Sequence, residues 1–362
     1  MTSGRESADG PHTAPLLQVR NLTTTFQTPR GRLLAVDDVS FDLDRGETLG
    51  IVGESGSGKS VLVRSVMNIV GSNATVAESS RVTFDGADLK RLPKAAARHF
   101  WGPEIAMVFQ DPMTSLNPVK RVGVQIAESM RYHLGVKRAV ARRRALDLLS
   151  QVGIPEPRRR LDEYPHQLSG GMRQRVSIAI ALACDPKLLI ADEPTTALDV
   201  TVQRQILDLL AGLQRERSMA MILVTHDLGV VASRAQRVAV MYAGRIVEIG
   251  DTRTTFEHMH HPYAEALLRS SPRIRYPSHT RLLAIAGHPP DMARPPAGCR
   301  FAPRCTYRRD VCMEELPLLN ADPRSAHAFA CHFPVTVDAS SLAESVVAAD
   351  GATEPPVLAE RL

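Results

Sequence analysis

Residues 53–60 read Gly-Glu-Ser-Gly-Ser-Gly-Lys-Ser, and no other stretch restricts the fold of this 362-residue chain so tightly. The short apolar run Thr48–Val52 leads straight into it, and an apolar run with helical spacing follows. That is the G-x-x-x-x-G-K-[ST] pattern in its strand–loop–helix setting. Its glycines let the backbone fold so that successive N–H groups point at phosphate oxygens, and the following helix start adds its positive dipole end. In this reading Gly53, Glu54, Ser55, Gly56, Ser57 and Gly58 form the cradle. Lys59 reaches the β- and γ-phosphates of a nucleotide, and Ser60 Oγ ligates Mg²⁺. A Gly-Ser turn matching by chance would lack the flanking strand and helix. The motif announces a nucleotide but not what the nucleotide drives.

A second element is Leu188-Leu189-Ile190-Ala191-Asp192-Glu193, an apolar run ending in two carboxylates. A strand buried on both faces reads as a continuous apolar run. In open parallel sheets, ligands bind beyond the strands' carboxyl ends. Asp192 is therefore placed to hold Mg²⁺, and Glu193 to orient and polarise an attacking water. Alone, the run reads equally well as a strand followed by a solvated acidic turn; the phosphate loop tips the balance. Strand signals at Leu188–Ala191, Met221–Thr225 and Val238–Met241, with helical patterns between them, predict an α/β fold with a mostly parallel sheet.

Many nucleotide-hydrolysing folds share those two elements. Shortly before the carboxylate strand comes Leu168-Ser169-Gly170-Gly171-Met172, followed by Arg173-Gln174-Arg175 and an apolar helix. As a bare Ser-Gly-Gly helix cap it would mean little. In this position it resembles the signature of the ABC ATPases, LSGGQ or close variants, with Met172 standing where Gln is commonest. Peptide importers look similar in using LSGGM. Ser169 and the N–H groups of Gly170 and Gly171 form a second anion site, whose guest in the family is the γ-phosphate held by an opposite subunit.

The resemblance extends over about residues 16–262. It implies a Q-loop at Gln110, which also serves Mg²⁺, a D-loop at Asp199 in Ala197-Leu198-Asp199, and a switch histidine at His226. Phe26 falls where an aromatic stacks on adenine. Glu193, His226, Gln110 and Lys59 are thereby expected to be catalytic, and Ser60, Gln110 and Asp192 to hold Mg²⁺. The implied fold is a P-loop NTPase of ABC type, with a mixed sheet core, a helical subdomain and a small Cys-containing C-terminal extension. Val136, Val140, Ala145, Leu148 and Leu149 carry the helical spacing that predicts the subdomain.

The last third departs in composition. His261-Pro262-Tyr263, Pro289-Pro290, Gly298-Cys299-Arg300-Phe301 and Pro303-Arg304-Cys305 resemble the C-terminal extension of oligopeptide/dipeptide importer ATPases, a branch that includes nickel importers. The stretches at 110–118 (QDPMTSLNP) and 195–201 (TTALDVT) point the same way. Cys299, Cys305, Cys312 and Cys331 follow a C-x5-C-x6-C-x18-C spacing. Four thiolates suit a [4Fe–4S] cluster or Zn²⁺, and the missing C-x2-C pairs and the family resemblance favour iron–sulfur over zinc. Reduced cysteines packing as small hydrophobes is the competing reading. His332 reads as a bystander and Cys184 as core.

The domain expectations are a disordered tail over 1–14, a nucleotide-binding domain over 15–265 with its helical subdomain at about 112–168, an importer-type extension over 266–335, and a flexible tail over 336–362. A net charge of +5 is too dispersed, and 4% aromatic residues too few, for nucleic-acid binding. No run approaches the roughly 18 apolar residues of a membrane span, and the polar N-terminus has no signal-peptide core. The resemblance therefore implies a peripheral subunit at the cytoplasmic face of the cell membrane. It hydrolyses ATP with Mg²⁺ alongside a second ABC ATPase subunit, two transmembrane permeases and an extracytoplasmic binding protein, to import di- or oligopeptides. Rival readings are an importer ATPase for nickel or another small solute, a non-transport ABC ATPase of translation or DNA repair, and a silent scaffold. The second rival would need tandem nucleotide domains or a long coiled-coil insertion. The third is opposed by the presence of Lys59, Asp192, Glu193 and His226.

Overall fold

The structure is a computed structural model that describes residues 14–93, 96, 99–111, 115–196, 198–270, 284–321, 327–335 and 337–338. Almost all of the two expected tails, 1–14 and 336–362, lies outside these residues, as do residues 112–114 and 197 of the motifs read above. In chain order the elements that matter here are β1 (Leu17–Thr28), β2 (Gly31–Leu43), β3 (Thr48–Val52), α1 (Lys59–Val66), β4 (Arg81–Phe84), β5 (Ile105–Val108), α2 (Val122–Leu134), α3 (Arg138–Gln151) and α4 (Gly170–Ala181). They continue as β6 (Leu188–Asp192), α5 (Val200–Glu216), β7 (Ala220–Thr225), α6 (Leu228–Arg234), β8 (Arg237–Tyr242), β9 (Arg245–Asp251), α7 (Pro262–Arg269), α8 (Asp310–Glu314) and β10 (Ala328–Phe329).

The chain forms two compact units interleaved along the sequence. Among the described residues, one takes in those up to Thr25, Asp37–Thr48 and those of Ser60–Ile222; the other takes in Phe26–Val36, Leu49–Lys59 and those from Leu223 onward. In the first unit β1 alternates in burial, hiding Leu17, Val19 and Leu22, and pairs antiparallel with β4 from Leu17↔Phe84 to Arg20↔Arg81. β5 and β6 pair in parallel, from Ile105↔Leu188 to Val108↔Ala191. All five residues of β6 are buried, as an apolar strand covered on both faces requires.

Three helices of this unit, α2, α3 and α4, pack on one another. α2 buries Val122, Ile126 and Met130 at spacings of four, and Gly123 lets the Leu161 backbone approach to where a Cβ would stand 2.9 Å from its oxygen. α3 buries Ala141, Ala145, Leu148 and Leu149. Val140 is 42% exposed, because it sits about 100° around the helix from Ala141. Of the residues read as this face, Ala145, Leu148 and Leu149 are buried in it, Val140 lies on the exposed side, and Val136 precedes the helix. Each buried Leu or Ile in this face contributes on the order of 2 kcal/mol.

In the second unit β3 pairs in parallel with β8, from Leu49↔Arg237 to Val52↔Val240. β8 pairs antiparallel with β9 through a bulge at Val240/Met241, and β9 pairs antiparallel with β10 at Glu248↔Phe329. A strand of the C-terminal extension is thus added to the edge of this sheet. Val52, Val238, Val240, Tyr242, Tyr263, Leu267 and Phe301 share one buried core, with Cys299 and Cys305 packed on it. The Glu248 carboxylate is fully buried and accepts hydrogen bonds from His260 N–H (2.8 Å), His261 N–H (2.9 Å) and His327 Nε2 (2.8 Å). It ties β9, the entry to α7 and the extension at a single side chain.

Candidate functional site

Strand β3 is buried throughout and ends at Gly53. At φ +155, a Cβ on Gly53 would stand 2.1 Å from Met241 O; at Gly58, φ +102, it would stand 2.4 Å from Ala35 O. Both positions therefore need glycine, which alone lets the loop turn this closely on its neighbours. Lys59 opens α1 and is 4% exposed. Its ammonium donates to Gly53 O (2.8 Å) and Glu54 O (2.9 Å), so the loop's own carbonyls fix it. The Ser57 carbonyl accepts from Gly244 N–H at 2.8 Å. Phe26 is half-buried in β1 and belongs to the same unit as this loop. His226 follows the wholly buried β7 and is exposed at its carboxyl end, where Asp227 caps α6 by accepting from Gly229 and Val230 N–H.

In the first unit, Ser60 Oγ donates to Asp192 Oδ1 at 2.8 Å. Asp192 is fully buried, and Arg64 Nη2 lies 3.8 Å from its Oδ2. A hydroxyl and a carboxylate in contact are hard oxygen donors of the kind Mg²⁺ takes, and Mg²⁺ needs only one or two carboxylates because it keeps several waters. These residues fit that ion. Glu193 takes φ +45, a left-handed conformation that a glutamate adopts only at a cost of about 1–3 kcal/mol. Its Oε2 accepts from Gln110 Nε2 (2.9 Å) and Thr196 Oγ1 (3.0 Å). The β5–β6 register explains the meeting: Val108 pairs with Ala191, so the residues two further on, Gln110 and Glu193, come side by side. Sequence reading singled out Gln110 and Glu193 and quoted Thr196 only as part of the 195–201 stretch, with no role at the carboxylate; it missed Arg64, whose signal is proximity in the fold.

Ser169 N-caps α4, its Oγ accepting from Met172 N–H at 3.3 Å, and Ser169 and Gly170 are exposed. A Cβ on Gly171 would stand 2.8 Å from Val202 Cγ1, so a small residue is required there. Asp199 caps α5 by accepting from Val202 N–H at 2.9 Å, with Val200 83% exposed beside it. The first unit therefore presents a capped, open helix start and an exposed turn, both able to meet another molecule.

Cys299, Cys305, Cys312 and Cys331 line one largely apolar pocket with His261, Phe301, Tyr307, His332 and Phe333. Burial pushes the Cys299, Cys305 and Cys331 thiols up, Cys331 to about 12. The spacing thus does bring four cysteines together. Yet among the described residues no group of three or more His, Cys, Asp or Glu side chains is arranged to hold a metal ion. The four are free cysteines, with Cys312 buried and the others half-buried. His332 Nε2–H donates to Glu315 O (3.0 Å). Cys184 is buried after α4 with its thiol raised by desolvation, as a core residue's should be.

The family described as ABC transporter matches residues 36–196, and the oligopeptide/dipeptide transporter C-terminal region matches residues 247–312. The dipeptide transport ATP-binding protein DppD of Escherichia coli (strain K12) is 49% identical over 322 residues, which cover 88% of this chain and 97% of that protein. A putative peptide import ATP-binding protein of Brucella abortus (strain 2308) is 51% identical over 308 residues, covering 85% and 92%. Among solved structures, the dimeric post-hydrolysis state of the ATP-binding cassette MJ0796 bound to ADP and Pi superposes with a TM-score of 0.59 at 28% identity, over 66% of this chain and 99% of that one.

Fold and site together define an ABC-type ATPase, an enzyme that hydrolyses ATP and uses Mg²⁺. Within that class, the chain belongs to the oligopeptide/dipeptide transporter family of ATP-binding proteins. Among the described residues no helix is long and apolar enough to cross a membrane.

Proposed function

We propose that this chain is the ATP-binding subunit of an importer for di- or oligopeptides, acting at the cytoplasmic face of the cell membrane as one of two paired ATPase subunits. The pair docks on two transmembrane permeases that are fed by an extracytoplasmic binding protein. What supports the substrate class is the extension matching the oligopeptide/dipeptide transporters, together with relatives named for peptide import. No residue described here touches a peptide. The nickel reading keeps only the breadth of the branch in its favour.

The observation that carries the hydrolytic reading is the hydrogen-bonded set around the two carboxylates: Ser60 on Asp192, and Gln110 and Thr196 on Glu193. Ser60 Oγ, Asp192 and Gln110 would hold Mg²⁺, which when bound would supply neutralisation of phosphate charge. Glu193, its carboxylate oriented by Gln110 and Thr196, accepts a hydrogen bond from the attacking water and polarises it toward the γ-phosphorus. The water oxygen bonds to phosphorus as the bond to the β,γ-bridging oxygen breaks, its proton passes by way of the Glu193 carboxylate to the released phosphate, and the leaving charge stays on ADP. Lys59 and the N–H groups of the loop 53–60 stabilise that charge, His226 contacts the γ-phosphate, and Phe26 stacks on adenine. Ser169, Gly170 and Gly171 offer their helix start to the γ-phosphate held by the paired subunit, with Asp199 at the seam. Closure is then driven by ATP, and hydrolysis removes the phosphoryl group that bridges the pair.

For the cysteines, the convergence of all four on one pocket supports a [4Fe–4S] site, with Cys299, Cys305, Cys312 and Cys331 as its ligands after side-chain rearrangement. No step of the hydrolysis runs through it. Anaerobic protein made with iron should show the visible thiolate–iron band; a colourless preparation sinks that part alone.

The transport reading is tested by reconstituting the chain with its co-purifying permeases in vesicles. Dipeptide-loaded binding protein should stimulate ATP hydrolysis and peptide uptake. Stimulation by a nickel complex instead would transfer the reading to the metal importers. Association with ribosomes or DNA without permeases would overturn it.

A further inference from the structure

The phosphate loop is gripped by the C-terminal extension through one arginine. Arg304 lies on the turn Ala302–Arg304, beside Cys305, and its side chain is only 3% exposed. Its guanidinium meets the Glu54 carboxylate fork on fork, Nη1 to Oε2 at 2.7 Å and Nη2 to Oε1 at 3.0 Å. The remaining N–H groups go to Tyr242 Oη (3.3 Å), Ile285 O (3.2 Å) and Ala286 O (2.9 Å), so all five donors are engaged. The guanidinium also stands over the rings of Tyr242 and Phe301, at 5.8 and 5.9 Å from their centroids. The Glu54 carboxylate raises the Arg304 pKa further above its already high ordinary value.

Glu54 is held at its other polar groups as well. Its N–H donates to Tyr263 Oη at 2.8 Å, and its carbonyl accepts from Lys59 Nζ at 2.9 Å. Glu54 therefore stands between two cations: Arg304 fixes its side chain, and its carbonyl helps fix the lysine ammonium. Within the loop this is a carboxylate next to a site for a polyanion, and only a close positive charge makes it tolerable there.

We propose that Arg304 is a positioning residue for the ATP site, which locks Glu54 and thereby Lys59, and which cancels the negative charge that a triphosphate would otherwise meet at the loop. This rests on the reading of 53–60 as the ATP cradle. Arg304 touches neither the nucleotide nor the reacting atoms. Its bidentate fork, buried and saturated with partners, is stronger and more directional than a surface pair. Losing it weakens ATP binding while leaving the hydrolytic carboxylates of the other unit untouched.

The test uses the full-length chain, with KM for ATP, kcat and the melting midpoint measured for each variant. Arg304→Met should raise KM about tenfold, equivalent to about 1.4 kcal/mol, with kcat within about twofold of the parent. Arg304→Lys, which keeps the charge but loses the fork, should raise KM about threefold. The double variant Arg304→Met with Glu54→Gln should recover much of the lost affinity, because the uncompensated charge is gone. A merely structural anchor would instead lower the melting midpoint and kcat together, with no recovery in the double variant, and that result overturns the proposal. Unchanged KM in Arg304→Met overturns it too. Should Arg304→Met fail to fold, Arg304→Lys decides: an unchanged KM there refutes the role. Lys59→Ala separates the two levels, since full ATP affinity in that variant would refute the cradle itself rather than the strut.

Discussion

Replacing Glu248 by alanine removes the acceptor on which three donors converge in a fully buried spot. The His260 and His261 N–H groups and the His327 ring lie 2.8, 2.9 and 2.8 Å from its oxygens, and His327 is itself 2% exposed. Each buried donor left without a partner costs about 1–3 kcal/mol. The vacated carboxyl leaves room for water to satisfy part of that demand, which places the net loss near the lower end of the sum, about 3–4 kcal/mol. For a domain of roughly 150–250 residues, 1 kcal/mol moves the midpoint by about 2–4 °C, so the variant should melt roughly 10 °C lower. Thermal melting followed by dye binding gives that shift, and amide hydrogen exchange localises it: protection should fall at His260, His261 and along β9 and β10. The segment around α2 and α3 should keep its protection. A midpoint within about 2 °C of the parent, or uniform loss of protection, would refute the view that one carboxylate fastens the extension to its sheet.

Glu193→Gln should slow ATP turnover by at least about a hundredfold, while ATP-induced pairing, followed by size-exclusion chromatography, persists; equal turnover removes Glu193 from its role. Burial pushes the His261 imidazole down to about 3, far below the roughly 6.5 of an unfolded chain. The unfolded state therefore takes up a proton that the folded state refuses, so this contribution is complete above about pH 6.5 and is lost as pH falls toward 3, by up to about 1.4 kcal/mol per unit. His261→Asn, which keeps an acceptor for the Tyr263 N–H, should show a shallower fall in urea midpoint between pH 7.5 and 5, and parallel curves would count against it. Gly58→Ala should abolish ATP binding in a fluorescent-nucleotide titration, since φ +102 and a Cβ 2.4 Å from Ala35 O leave no place for a side chain; retained affinity would show that the loop tolerates another path.

Local chemistry wrote much of the site into the chain. Gly53 and Gly58 mark a loop that only glycine can form, Ser169 and Asp199 mark helix starts by their capping oxygens, and the apolar run 188–191 marks a strand ending in carboxylates. These signals survive in one dimension because each depends on neighbours within a few residues. The mixed sheet was less legible than its parallel strands. The antiparallel pairings of β1 with β4 and of β9 with β10 join segments whose alternation says which face is buried, but not which strand lies alongside.

What the sequence determined alone was the class of chemistry and the residues that bear it, because motif spacing and backbone conformation are short-range properties. What the tertiary structure decided was who touches whom. The β5–β6 register brings Gln110 to Glu193, a sheet edge brings His327 to Glu248, and a turn about 250 residues downstream brings Arg304 to Glu54. Even the cysteine spacing gave only proximity, since the orientation of four thiols is set by the apolar core around them and not by the intervals between them. Long-range partners are chosen by packing, and periodicity in the chain marks which face is buried but not what that face meets.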